Sequence, residues 1–208
     1  MTATRPPNIA HKPVVPGVVP SRTRGHVPGE VGVWIFILGD MVVFAWFFIV
    51  FMHQRAQRAN VFNEAHKSLN LTLGGLNTLL LLTGSWFVVM ALHALRANNQ
   101  RTGKRLIVVA IVCGLGFVIN KLLEYHEKIV TGHPHEQADF FMFYFVLTGI
   151  HLVHLLIGLA VLTLMWRVAG KPVLGQRQFR TLEAGASFWH LVDLLWLVLF
   201  ALFYLVSG

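Results

Sequence analysis

The chain has 208 residues, 55% of them hydrophobic and only 12% charged, with a positive mean hydropathy, a balance that excludes an ordinary soluble domain. Its formal charge is +8, yet the cations gather at the edges of apolar stretches without the basic-aromatic surface that a nucleic acid requires, so membrane topology accounts for them instead. The single cysteine, Cys113, lies inside an apolar stretch, which excludes an intrachain disulfide and any cysteine-built zinc or iron–sulfur centre and leaves it the role of a small buried hydrophobe.

Residues 1–28 hold six of the eight prolines and four cations with little apolar periodicity, and are expected to form a disordered, Pro-rich cytoplasmic tail with no continuous apolar region of a signal peptide. Residues 29–208 are expected to form one domain. Five apolar stretches follow, each near the ~20 residues that a helix needs to cross a ~30 Å hydrocarbon core, and helices are required because lipid cannot satisfy irregular backbone. The first runs from about Val31 to Met52 and is interrupted by Asp40; the second, about Leu71 to Leu95, contains no Asp, Glu, Lys or Arg. The third extends from about Leu106 through Lys121, Glu124 and Tyr125, the fourth from about Phe140 to Trp166 with His151 and His154, and the fifth from about Ala184 to Val206 with His190 and Asp193. The fold class is therefore all-α: a polytopic membrane protein with five transmembrane helices in one bundle.

The cations set an orientation. Arg5, Lys12, Arg22 and Arg24 in the tail, Arg96, Arg101, Lys104 and Arg105 between the second and third spans, and Arg167, Lys171, Arg177 and Arg180 between the fourth and fifth lie on one side. Arg55, Arg58, Lys67 and Lys128 lie on the other. The excess places the N-terminus in the cytoplasm and the C-terminus outside.

The polar groups inside the spans carry the functional question. At a rise of ~1.5 Å per residue, Asp40, His151, His154, His190 and Asp193 fall within a few turns of the midplane, where a carboxylate is tolerated only if neutral, paired or wet. His151 and His154 are i, i+3 on one helix face, and His190 and Asp193 repeat that spacing, so a His–Asp hydrogen bond between the fourth and fifth spans is the economical expectation. Four roles fit such stripes: interhelical polar glue, a metal site, an axial haem site on facing histidines, or a proton relay. The metal reading suffers because Glu124 and Glu183 lie towards span ends and no H-E-x-x-H is present. His93 sits near a span end, and His133 and His135, beside Pro134 and Glu136, read as solvated loop residues. Gly74, Gly75, Asn77, Thr78, Thr83, Gly84 and Ser85 in the second span, Gly114 and Gly116 in the third, and Gly149 and Gly158 in the fourth point to close helix packing. The aromatic run Phe44, Trp46, Phe47, Phe48 and Phe51 reads as a lipid or partner face.

Taken in order, these features resemble the cytochrome c oxidase subunit III family of the haem-copper oxidases over essentially the whole chain after residue 28. The first span from Gly32 to Phe48 is similar to that family's opening helix with its mid-membrane carboxylate, here Asp40 where the oxidase branch usually has Glu. Leu76-Asn77-Thr78 resembles its L-N-T segment, and Glu124-Tyr125 its E-Y pair. Phe140-Phe141 followed by Thr148-Gly149-Ile150-His151 and His154 resembles its F-F and T-G-x-H-x-x-H. Glu183-Ala184-Gly185 and Trp189-His190 through Asp193 and Trp196 resemble its E-A-G and W-H-x-V-D-x-x-W. Five spans resemble the shorter bacterial form that lacks the first two helices, and the opening from Pro28 to Asp40 is most similar to the branch associated with nitric oxide reductases.

The resemblance implies a bacterial cell-membrane subunit with no catalytic centre, metal or cofactor of its own. It packs on the catalytic subunit I of a haem-copper oxidase or nitric oxide reductase, beside the other subunits of the complex, and supports proton uptake. Haem, with or without copper, would belong to that partner, and phospholipid would lie between helices. Asp40, Glu124, His151, His154, Glu183, His190 and Asp193 would form a buried polar framework. Two readings of another class stand beside it: an autonomous small proton channel or transporter, supported by the midplane carboxylates, and a redox or metal enzyme resting on His151 and His154.

Overall fold

The protein is described by a computed structural model over residues 31–58, 70–131, 138–171 and 174–205. The N-terminal tail and the His133/His135 loop lie outside the described residues. Within them the regular structure is helical: α1 Val31–Gln57, α2 Leu71–Arg96, α3 Gln100–Thr131, α4 Ala138–Val168 and α5 Gln176–Phe200, the last running into a π-helical turn Ala201–Leu205. All five helices are long and apolar enough to cross a membrane.

Several helices are longer than hydropathy alone predicts. α3 begins six residues before Leu106 because Asn99 caps it, its side-chain oxygen accepting from the Thr102 amide at 3.2 Å, and Gln, Arg and Lys propagate a helix well in the interfacial region. At 32 residues α3 is ~48 Å long, more than the hydrocarbon core needs, so its charged first turns stand at the membrane boundary. α5 likewise starts at Gln176 rather than Ala184. Asn70 caps α2 by accepting from the amides of Thr72 and Leu73. Between α2 and α3 the chain reverses at Asn98, whose φ of 59° lies in the left-handed region that Asn tolerates at a helix end.

α2, α3, α4 and α5 close into a four-helix bundle in which each packs on the next and α5 returns to α2. α1 lies outside this ring, against α4 and α5. Phe44 and Phe51, i, i+7 on α1, are buried: Phe51 meets Phe140, Phe143 and Phe203 at ring separations of 4.9 to 6.4 Å. The aromatic run expected to face lipid or a partner is therefore divided, with Trp46 outward and Phe44 and Phe51 holding α1 to the bundle.

Trp189 of α5 fills the centre of the ring. It is buried in a slot floored by glycines from three other helices. A Cβ on Gly114 of α3 would stand 2.9 Å from its ring, one on Gly158 of α4 3.1 Å, and one on Gly84 of α2 3.5 Å. Small residues thus act here by admitting one indole, and Gly84 also brings α2 close to the α3 backbone, with a Cβ position 3.6 Å from the Ala110 carbonyl oxygen. Gly75 and Gly149, with the same expected role, face open space.

Candidate functional site

The most charged part of the interior sits where α3, α4 and the π-helical turn meet. Lys121 and Glu124, i, i+3 on α3, have side chains only 1% exposed and form an ion pair at 3.0 Å. Lys121 Nζ also donates to Tyr144 Oη of α4 at 2.7 Å, and Tyr204 Oη donates to Glu124 Oε1 at 2.6 Å. The Tyr144 and Trp196 rings lie 4.5 and 5.2 Å from the ammonium, close enough for cation–π attraction. Each charge therefore has its opposite, and both oxygens of the carboxylate are hydrogen-bonded, which is what keeps a desolvated pair tolerable.

The π-helical turn makes this possible. A wider turn displaces the following side chains relative to α5, and Phe203 and Tyr204 both end up buried. Tyr204 reaches across Gly74 of α2, where a Cβ would stand 2.8 Å from its ring. Next to the cluster, Tyr125 Oη and Thr148 Oγ1 are 2.6 Å apart, a second link between α3 and α4.

A second group ties α2 to its neighbours. Asn77 Oδ1 accepts from Asn120 Nδ2 of α3 at 3.2 Å, and Thr78 Oγ1 accepts from Trp196 Nε1 of α5 at 3.0 Å. Ser85 Oγ pairs with His190 Nδ1 of α5 at 2.5 Å and also faces Asp193, whose Oδ1 is buried without a partner.

Asp40 and His154 form the third group, at the seam of α1 and α4. His154 Nε2 lies 3.1 Å from Asp40 Oδ1, while its Nδ1 donates to the Ile150 carbonyl at 2.9 Å. Because a carbonyl only accepts, that Nδ1 carries a proton, so the contact with Asp40 must hold another, either as imidazolium and carboxylate or as imidazole and carboxylic acid. The Asp40 Oδ2 atom is buried and unpartnered.

The predicted residues thus divide. The expected His–Asp bond between the fourth and fifth spans does not form although α4 and α5 pack together: the His190 and Asp193 side of α5 turns to Ser85 of α2, while His154 takes Asp40 of α1. His151 is buried with both ring nitrogens unpartnered, between Phe117 and Trp196 at ring separations of 5.7 and 5.4 Å. Glu124 lies toward the end of its span, as expected, and is buried there between helices. Glu183 is at the bundle's edge, bonded at 2.8 Å to the half-exposed Arg96, where it joins the ends of α2 and α5. Lys121, Asn77, Asn120, Thr148, Tyr144 and Tyr204 complete the framework and were not singled out as site residues. A signal for Lys121 existed: it is the one cation that the loop count leaves unassigned.

Chemically, the arrangement joins helices. Among the described residues no three His, Cys, Asp or Glu side chains converge on a metal position. Two surface grooves are lined by residues outside the Lys121–Glu124 cluster.

Asp40, Asn77, Thr78, Glu124, Tyr125, Thr148, His154, His190 and Trp196 among these linking residues lie in the segments that drew the family resemblance, and the sequence profile described as Cytochrome c oxidase subunit III matches residues 25–208. The chain belongs to the cytochrome c oxidase subunit III family. Among its relatives, the cytochrome bo(3) ubiquinol oxidase subunit 3 of Buchnera aphidicola is 27% identical over 176 residues, covering 84% of this chain and 92% of that protein. The cytochrome c oxidase subunit 3 of Alkalihalophilus pseudofirmus is 29% identical over 180 residues, 85% of each. A protein of Aeropyrum pernix named heme-copper oxidase subunit I+III is 24% identical over 179 residues, which are 83% of this chain and 22% of that one. In subunit III terms, the L-N-T segment supplies the α2 bonds to α3 and α5, the E-Y pair supplies Glu124 and Tyr125, and the W-H-x-V-D-x-x-W segment supplies the indole in the glycine slot and the bonds to Ser85 and Thr78.

Proposed function

We propose that this chain is a non-catalytic integral membrane subunit of a respiratory haem-copper oxidase complex, packing on the catalytic subunit I and stabilising it and its proton uptake. The observation that carries this reading is the coincidence of the family's segments with side chains that end on other helices of the same chain: the polar residues are spent on holding one bundle together. Subunit I would carry the haem, with or without copper, and would set whether oxygen or nitric oxide is reduced. Asp40 in place of the oxidase branch's Glu resembles the branch associated with nitric oxide reductases, so both gases stand open until subunit I is identified. The cation count supports a cytoplasmic N-terminus in a bacterial cell membrane, and the fused subunit I+III relative supports direct contact with subunit I.

The test is mass-spectrometric identification of what co-purifies with the tagged chain after gentle detergent extraction from its native membrane. Recovery of a haem-copper catalytic subunit is expected, and its identity names the gas. A reproducibly solitary chain that carries proton flux in liposomes, with the flux abolished by Asp40→Asn, would replace this reading with an autonomous proton channel.

A further inference from the structure

At the membrane boundary, on the side of the α2–α3 turn, α3 and α4 enclose a groove of about 490 Å³ lined by Arg101, Lys104, Arg105, Val108, Val109 and Trp166. From this geometry we infer that the groove binds one anionic phospholipid, its phosphate held by Arg101, Lys104 and Arg105 and its upper acyl chains lying along Val108, Val109 and Trp166. The inference concerns this chain alone and holds whichever catalytic subunit it joins.

The lining is graded in the way such a lipid requires. Residues 101, 105 and 109, and 104 and 108, follow each other at i, i+4 along one face of α3. Cations therefore occupy the first two turns and valines the third, over a rise of ~12 Å. Val108, Val109 and Trp166 are exposed, so their apolar surface is open to acyl chains. The Trp166 ring closes the α4 side and lies 4.7 Å from Lys104 Nζ, which holds the ammonium at the mouth. An indole at this level belongs to the interfacial belt where headgroups begin.

Charge complementarity decides the headgroup. No acidic side chain lines the groove, and Arg101 and Arg105 are like charges one turn apart, a destabilising pair unless an anion lies between them. Arg96, near the same boundary, is already bonded to Glu183 and is not part of the site. Basic pockets between helices at this level recognise the phosphate of anionic lipids, whereas a zwitterionic headgroup brings its own cation beside the three of the groove and gains no net charge attraction.

The test uses the full chain, purified with whatever subunits accompany it, stripped of lipid and offered phosphatidylglycerol or phosphatidylcholine in detergent micelles, with retained lipid read by native mass spectrometry. At about fivefold per cation near the surface, the variant R101Q/K104Q/R105Q is expected to retain phosphatidylglycerol at least tenfold less well than the wild type. Phosphatidylcholine retention should be equal in the two. The control R177Q/R180Q, with cations removed on the same side outside the groove, should match the wild type. Equal phosphatidylglycerol retention in wild type and triple variant would overturn the inference, as would an equal loss in the control, which would mean diffuse surface charge. Displacement of the lipid by excess inorganic phosphate would overturn it in favour of a free-anion site. If the triple variant does not assemble, Arg101→Gln and Arg105→Gln singly carry the same comparison.

Discussion

Lys121 and Glu124 show how much a single side chain can matter when water is absent. Removing one partner of a fully buried ion pair leaves the other charge unsolvated, a loss of about 3 to 5 kcal/mol, whereas removing both is often neutral. Lys121→Met is therefore expected to lower the midpoint of thermal unfolding in detergent sharply, and Lys121→Met with Glu124→Gln to recover most of the loss, since Gln still accepts from Tyr204. The two histidines of α4 should part company in the same assay. His151 has neither nitrogen engaged, so His151→Leu is expected to leave stability unchanged or raised. His154→Leu removes the partner that Asp40 has at the α1 seam among the described residues and is expected to be destabilising by about 1 kcal/mol, as interhelical hydrogen bonds in membranes are. Equal effects of the two substitutions would contradict the pairing.

Sequence alone made both histidines visible, because a polar residue in an apolar span is conspicuous. It did not reveal which partner each would take, since that depends on which helices are neighbours and at what depth. Lys121 was less visible: it lies toward the exit of a long helix, and only the π-helical turn, which no local pattern announces, brings Tyr204 to the carboxylate of its partner Glu124.

At the scale of the helix, the glycines sort by what stands opposite them. Gly114 faces both Leu159 and Trp189, with a Cβ 2.8 and 2.9 Å from their side chains, so Gly114→Val is expected to force α3 away from α4 and α5 and to lower stability by at least 1 to 3 kcal/mol, the usual range for overpacking. Gly75→Ala meets nothing within 4 Å and is expected to raise stability by up to about 1 kcal/mol through helix propensity. Trp189→Ala, which empties the glycine slot, is expected to cost about 3 to 5 kcal/mol. Thermal unfolding followed by circular dichroism in one detergent ranks all three. The five helices were legible from apolar length, and the richness of α2 in small and polar residues correctly marked it as closely packed. Helix ends were less legible, because the interfacial turns of α3 and α5 are polar while still helical.

In the whole molecule, hydropathy and burial separate. α1 is among the most apolar helices and the least buried; α5 is less apolar and the most buried. In lipid an outward side chain must be apolar, so the apolar stripe that identifies a core in water cannot do so here, and the arrangement of helices has to be read from the small and polar residues instead. Orientation rests on a different property, the distribution of Lys and Arg among the connections, which acts during insertion and leaves no mark on the packing. It can be tested on a Cys113→Ala background, where no native thiol competes. Ala97→Cys, exposed in the α2–α3 turn, and Val130→Cys, exposed at the far end of α3, stand at opposite faces of the membrane, because α3 runs its full length between them. With a membrane-impermeant maleimide on intact cells, Val130→Cys should be labelled and Ala97→Cys only after the membrane is opened. The reverse pattern would invert the chain, placing Arg101, Lys104 and Arg105 on the outer face and leaving the cation excess without its topological explanation.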